Sequence, residues 1–208
     1  MYVGRIVVVG RSKGRSFVAY RVSSRSFPNR RAEVRGQSIM VSPLDRADLA
    51  RNPYIAYNCI RAAGSAADNG FAVVSNGTHT DMIFERIEDG QKPMDAIVLS
   101  LAAYGYERDE LDTPRIAGVV QADHAWLGIA RKDELRVKHF DLLEDGSFLV
   151  ATYEKTDFEA IDMGAESAGK IAKAAYDLPL ERPVCAAAAF AEQANMGSGF
   201  ELAVFNPR

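Results

Sequence analysis

The sequence predicts an α+β fold, a two-sheet sandwich flanked by helices. Three observations carry this. Apolar runs of strand length far outnumber helical patterns. The elements come in blocks (strands, two helices, strands, a helix, strands), not in βαβ alternation. Neither a G-x-G-x-x-G after a strand nor a G-x-x-x-x-G-K-[ST] is present, which disfavours Rossmann and P-loop folds.

The elements follow in order. Tyr2–Val9 is β-branched and closes at the turn cluster Gly10-Arg-Ser-Lys-Gly14. Ser16–Ser23 alternates, with Phe17, Ala19 and Val22 apolar. Ala32–Val41, Ile55–Ala62 and Phe71–Ser75 read as further strands, with the polar cluster Gly64–Gly70 as a loop. Asn76-Gly77 is a turn signal. Thr80–Asp89 places Met82, Ile83 and Ile87 at helical spacing and ends at Gly90. Pro93–Tyr104 opens with a first-turn proline and carries Met94, Ile97, Val98 and Leu101 as an apolar stripe. Strands return at Arg115–Gln121, Ala125–Arg131, Leu135–Asp141 and Ser147–Tyr153. A helix over about Met163–Tyr176 precedes strands at Val184–Glu192 and Phe200–Phe205.

The 208 residues, 48% hydrophobic and 25% charged, suit one domain spanning 1–208. No linker, repeat or low-complexity segment divides it. No apolar run approaches the ~20 residues of a membrane helix, and the N-terminus reads as a strand, not a secretory signal. Cys59 and Cys185 make no disulfide framework, so both are expected as reduced thiols in a cytoplasm. The net charge of -3 hides an asymmetry: residues 1–61 carry a balance of +9, mostly arginine, and the remainder -12. Arginine favours planar contact with phosphate and carboxylate. A local anionic ligand therefore fits better than a broad nucleic-acid surface, given a pI near 5.7. Salt bridging between the two parts is the plain alternative.

Four segments could carry chemistry. Arg21-Val-Ser-Ser-Arg-Ser-Phe-Pro-Asn-Arg-Arg31 gathers serine hydroxyls and guanidinium forks, the groups a phosphate needs, unless it is a solvated basic loop. In Asn52-Pro-Tyr-Ile-Ala-Tyr-Asn-Cys-Ile-Arg61, strand geometry sets Tyr57 and Cys59 on one side, Asn58 and Ile60 on the other. Tyr57 and Asn58 could each polarise an amide or oxyanion, though a satisfied core tyrosine is the more common outcome. Cys59 reads as a small buried residue. Ser75-Asn-Gly-Thr-His-Thr-Asp81 opens a helix whose free N–H groups suit an anion, or else is an ordinary cap with an exposed His79. Tyr104–Ala117 supplies Glu107, Asp109, Glu110 and Asp112 ahead of Arg115. One of these could be a general base if partly buried.

A metal is not expected: His79, His124 and His139 lie far apart, and no H-E-x-x-H or C-x-x-C occurs. No internal Gly-Ser, Gly-Thr or Gly-Cys recommends itself as an autocatalytic processing site.

At these segments the chain resembles the archaeal-type IMP cyclohydrolases. The stretches are Tyr20–Arg30, Asn52–Arg61, Val74–Asp81 and Asp112–Ala117, with the opening Tyr2-Val-Gly-Arg5 and a length near 200 residues. The resemblance runs nearly end to end and is less distinctive after about Asp141. It implies a four-layer αββα fold like that of N-terminal nucleophile hydrolases, with a pocket between the sheets and no autocatalytic nucleophile. It implies closure of 5-formamidoimidazole-4-carboxamide ribonucleotide to inosine 5'-monophosphate, the last step of de novo purine synthesis, without metal or organic cofactor.

On that basis Arg25, Tyr57, Asn58 and Glu107 are the expected catalytic residues. Arg21, Ser23, Ser24, Arg30, Asn76, Gly77, Thr80, Asp81 and Arg115 are expected to bind substrate. The expected partner is a small purine nucleotide, not nucleic acid or membrane. A homo-oligomer is compatible with so small an enzyme, but no interface signal stands in the sequence. Two alternatives remain: an amidohydrolase of the N-terminal nucleophile class acting on a small amide, and a nucleotide- or RNA-binding module without catalysis.

Overall fold

A computed structural model describes residues 2–45, 47–48, 55–64, 70–192 and 199–207. The first strands are β1 (Arg5–Ser12), β2 (Arg15–Ser23), β3 (Arg30–Arg35), β4 (Ser38–Pro43), β5 (Tyr57–Ala63) and β6 (Phe71–Ser75). Helices α1 (His79–Glu88) and α2 (Pro93–Tyr104) follow. Then come β7 (Arg115–Gln121), β8 (His124–Ala130), β9 (Leu135–Asp141), β10 (Gly146–Ala151) and β11 (Glu159–Ile161). Helix α3 (Ala168–Asp177), β12 (Pro183–Ala191) and β13 (Phe200–Phe205) complete the order. This is the α+β block order expected.

The strands form two antiparallel sheets. One runs β11-β10-β1-β2-β12-β13, the other β3-β4-β5-β6-β7-β8-β9. Their facing sides meet in a core of Val7, Val9, Val18, Tyr20, Cys59, Ile60, Val74, Ile116, Val120 and Ala187. The opposite face of the first sheet, with Ile6, Val8, Phe17, Ala19 and Phe190, is covered by Ala168, Ile171, Ala172 and Ala175 of α3. Helices α1 and α2 cover the second sheet through Ile83, Phe84, Ile87, Ile97 and Leu101. The layers therefore run helix, sheet, sheet, helix. Strands β1, β2 and β12 are buried on both faces, which is why they read as continuous apolar runs. Gly118 lets the sheets approach: a Cβ there would lie 2.7 Å from Val9 Cγ1 and 3.0 Å from Val7 Cγ1.

Several expectations are corrected. The run Ala32–Val41 is a hairpin, not one strand, because Gly36 turns the chain at φ +58° between β3 and β4. In β5, Ile60 faces the inter-sheet core with Tyr57 and Cys59. The pairing shifts from Met40↔Asn58 to Ile39↔Ile60, so one extra residue of β5 resets the alternation. Helix α3 begins at Ala168, not near Met163, where the Ser167 hydroxyl accepts from Lys170 N and caps it. Strand β11 was not anticipated; three residues are too few for a period to show. Asn52, Pro53 and Tyr54, and residues 65–69 of the expected loop, lie outside the described residues.

Candidate active site

Strand alternation builds the site. Val7 and Val9 of β1 face the inter-sheet core, so Arg5, at the start of that strand, shares their side. Ala32 does the same for Arg30 in β3, and Tyr57 opens β5 on the inner face. The three strand starts lie at one end of the sandwich. Here a cleft of about 700 Å³ is lined by Arg5, Arg30, Tyr57, Asn76, Gly77, Glu107 and Arg115, with Phe27, Ile55, Thr78, Tyr104, Tyr106, Arg108 and Asp109 completing it.

The deep wall is cationic and phenolic. The Tyr57 and Tyr20 hydroxyls lie 2.8 Å apart, and their rings meet edge to face at 6.5 Å. Burial, with Tyr57 beside it, holds the Tyr20 phenol well above its ordinary value. Burial works against the charge on Arg5, but Tyr57, Tyr20 and Glu107 outweigh it, and the Tyr57 hydroxyl is a hydrogen-bond partner. Arg5 is thus a fixed cation. Arg30 is 4% exposed; burial and the neighbouring Arg5 cation lower its pKa. Its Nε donates to the Phe27 carbonyl at 3.2 Å, while Nη1 and Nη2 are buried and find no acceptor among the described residues. Buried guanidinium donors without acceptors are costly in a fold and are poised for an anionic or carbonyl oxygen.

The same cleft is lined by Glu107 and Arg115, 3.2 Å apart. Burial raises the Glu107 carboxyl above its ordinary value despite Arg115, Arg5 and Arg30. Asp109 organises the surrounding loop by accepting from Thr113 N at 2.9 Å, Thr113 Oγ1 at 2.7 Å and Leu111 N at 3.2 Å. Glu107 N donates to the Thr113 carbonyl at 2.8 Å, so the general-base candidate sits on an internally tied loop. Arg115 lies under Tyr104, 5.2 Å from the ring centroid. A Cβ at Gly77 would come within 2.8 Å of Arg115 Nη1 and 3.1 Å of His79 Nδ1, so a side chain there would displace the Arg115 guanidinium. His79 is fully buried, not exposed: its Nε2 meets the Ile116 carbonyl at 3.1 Å. Burial first, then the Arg115 cation, push its pKa down to about 3, so it is neutral in the fold. Asn76 ties β7 to the site, donating to the Pro114 carbonyl at 3.0 Å and accepting from Ile116 N at 2.8 Å.

The structure thus brings together six of the expected residues: Arg30, Tyr57, Asn76, Gly77, Glu107 and Arg115. It places the others elsewhere. Asn58 alternates outward and donates to Asp81 Oδ1 at 2.9 Å, where Arg61 also donates at 3.1 Å. Thr80 is buried, bonded to the Gly77 carbonyl at 3.0 Å and the Ser75 hydroxyl at 2.5 Å. Arg21 points to the α3 side of its sheet. It donates to the Leu178 carbonyl at 2.7 Å and the Leu180 carbonyl at 2.5 Å, with Nε to Ser23 Oγ at 3.1 Å. The Ser24 hydroxyl accepts from Phe27 N at 2.9 Å. Arg25 is exposed, pairs with Glu181 at 2.9 Å and lies over the Tyr2 ring. Sequence reasoning assigned no role to Arg5 or Tyr20. A signal existed for Arg5, since an arginine in register with Val7 and Val9 on a doubly buried strand needs a polar destination.

A cleft between two sheets, rich in guanidinium groups and holding a tyrosine beside a carboxyl of raised pKa, has the make-up of an enzyme site for a small anionic molecule. Residues 2–195 match the model of the IMP cyclohydrolase-like protein family, and the chain belongs to that family. Relatives named IMP cyclohydrolase include that of Methanothrix thermoacetophila, 60% identical over 208 residues and covering all of both chains. That of Methanocella arvoryzae is 49% identical over 99% of this chain and 98% of its own. That of Natronomonas pharaonis is 45% identical over 99% of each.

Proposed function

We propose that this chain is an IMP cyclohydrolase that closes 5-formamidoimidazole-4-carboxamide ribonucleotide to inosine 5'-monophosphate and water. One observation carries the reading: Arg5, Arg30 and Tyr57 line one cleft together with Glu107 and Arg115. The reaction needs such groups. The carboxamide nitrogen is a weak nucleophile, so the cleft must hold it against the formyl carbon. As that C–N bond forms, Glu107 takes a proton from nitrogen, and its raised pKa suits the exchange. Negative charge grows on the formyl oxygen, and the cleft residues to answer it are Arg30, whose Nη donors lack an acceptor among the described residues, and Tyr57. Tyr57, backed by Arg5 and Tyr20, protonates that oxygen. The resulting carbinolamine loses its hydroxyl as water together with the proton of the former formamide nitrogen, leaving the ring C=N bond. The phosphate would lie at the Gly77–Thr78 start of α1, where the helix N-terminus carries no side-chain cap and the Arg115 cation stands beside it.

The helix–sheet–sheet–helix order supports an αββα fold of the N-terminal nucleophile hydrolase kind, used here without its nucleophile. The cleft draws on both sheets, which supports residues 1–208 acting as one domain. Both thiols are free and buried, which suits a reducing cytoplasm. Incubating the purified protein with the formamido ribonucleotide and following inosine monophosphate against a buffer blank tests the function. Enzyme-dependent closure is expected; no rate above the blank from folded protein would refute it.

A further inference from the structure

Three metal-ligating side chains converge far from the cleft, on the face of the second sheet that carries α1 and α2. His124 Nδ1 lies 3.1 Å from Asp141 Oδ1 and 3.1 Å from His139 Nε2, and His139 Nε2 lies 3.6 Å from Asp141 Oδ1. We propose that His124, His139 and Asp141 form a binding site for a divalent transition-metal ion of the zinc, cobalt or nickel kind.

The argument is geometric. Bonds of ~2.1 Å in tetrahedral coordination set ligand atoms about 3.4 Å apart, and octahedral coordination sets neighbours about 3.0 Å apart. The three observed separations, 3.1, 3.1 and 3.6 Å, each lie within a few tenths of an ångström of one of these values, so one ion can reach all three atoms without backbone movement. The frame is stiff, since the ligands stand on adjacent paired strands. His124 is opposite Asp141, and Trp126 is opposite His139. His139 and Asp141, two residues apart, share a face. The Trp126 ring flanks both imidazoles, at centroid distances of 6.0 and 5.1 Å, and limits their rotation. Two imidazoles with one carboxylate select transition metals over calcium and magnesium. The three side chains are 51%, 37% and 60% exposed, so water can complete the coordination shell. The site is distinct from the cleft: His124 pairs with Gln121 at one end of β7, and Ala130 with Arg115 at the other. Six strand residues put about 20 Å between them.

Trp126 is the chain's one tryptophan and therefore a built-in reporter. Tag-free, chelator-treated full-length protein is titrated with Ni²⁺ or Co²⁺ while tryptophan fluorescence is followed. The proposal predicts saturable quenching at one ion per chain, reversed by EDTA and competed by Zn²⁺ but not by Mg²⁺. His124→Gln and Asp141→Asn, both surface changes whose folding is checked by melting, each weaken binding by at least about tenfold. Quenching that does not saturate, that survives both substitutions, or that Mg²⁺ competes as well as Zn²⁺, overturns it.

Discussion

Tyr57 stands between two hydrogen-bond partners, Tyr20 and Arg5, and lines the cleft. Removing that hydroxyl keeps the ring's packing but deletes the proposed proton donor. Tyr57→Phe should therefore melt within a few degrees of the parent while kcat falls by about 10²-fold with KM little changed. An unchanged kcat would remove Tyr57 from the chemistry. His79 makes a prediction about stability. Its folded pKa of about 3 is below the unfolded value, so the unfolded chain binds the extra proton as pH falls. The stability from neutral burial is complete above about pH 6.5 and is lost progressively toward pH 3, on the order of 5 kcal/mol in all. Denaturant unfolding from pH 7 to pH 4 should show this loss, and a His79→Gln variant should show a shallower one. Parallel slopes would mean that His79 is not the group responsible. At this scale the sequence was only partly legible. Tyr57, Arg30, Glu107 and Arg115 could be picked out because polar groups at strand ends need a purpose. Arg21 and Asn58 misled because both ends of a polar side chain's search, ligand or protein carbonyl, look alike in a sequence.

Arg21 shows what such a residue does at the level of elements. Its guanidinium collects the Leu178 and Leu180 carbonyls just beyond α3 and so fastens that helix to β2. Burial pushes its pKa down to about 10, which still leaves it charged at neutral pH. Arg21→Met strips the part-buried Leu178 and Leu180 carbonyls of their donor, at about 1 kcal/mol each. The variant should show a clearly lowered melting temperature with unchanged KM for the nucleotide among folded molecules. A raised KM with unchanged melting would return Arg21 to the binding site. Element boundaries were legible where pattern and punctuation agreed. Pro93 opened α2, and β6, β7, β9 and β13 fell on their expected residues. They were illegible where a single residue changed the pairing, as with Gly36 in the β3–β4 hairpin and the extra residue in β5.

The whole molecule explains why so much of the site came from strand starts. Two sheets packed face to face leave their strand ends as a rim, and alternation aims every second rim residue inward. The basic character of residues 1–61 resolves in part into this rim, through Arg5 and Arg30, and in part into ion pairs such as Arg25–Glu181 and Arg61–Asp81. Salt bridging between the two parts of the chain is therefore present at some of these arginines, while Arg5 and Arg30 belong to the cleft lining. The α+β class was legible from the block order of elements and the four-layer order only through the family resemblance, whereas the pairing β2–β12, across 160 residues of chain, had no local signal. The most direct test compares the parent with Arg30→Ala, on folded protein, in the conversion of the formamido ribonucleotide to inosine monophosphate. The parent should turn over substrate well above the blank, and the variant should lose about 10²–10³-fold in kcat with the loss of its oxygen-facing donors. Equal rates for the two proteins would contradict the cleft as the place where the ring closes.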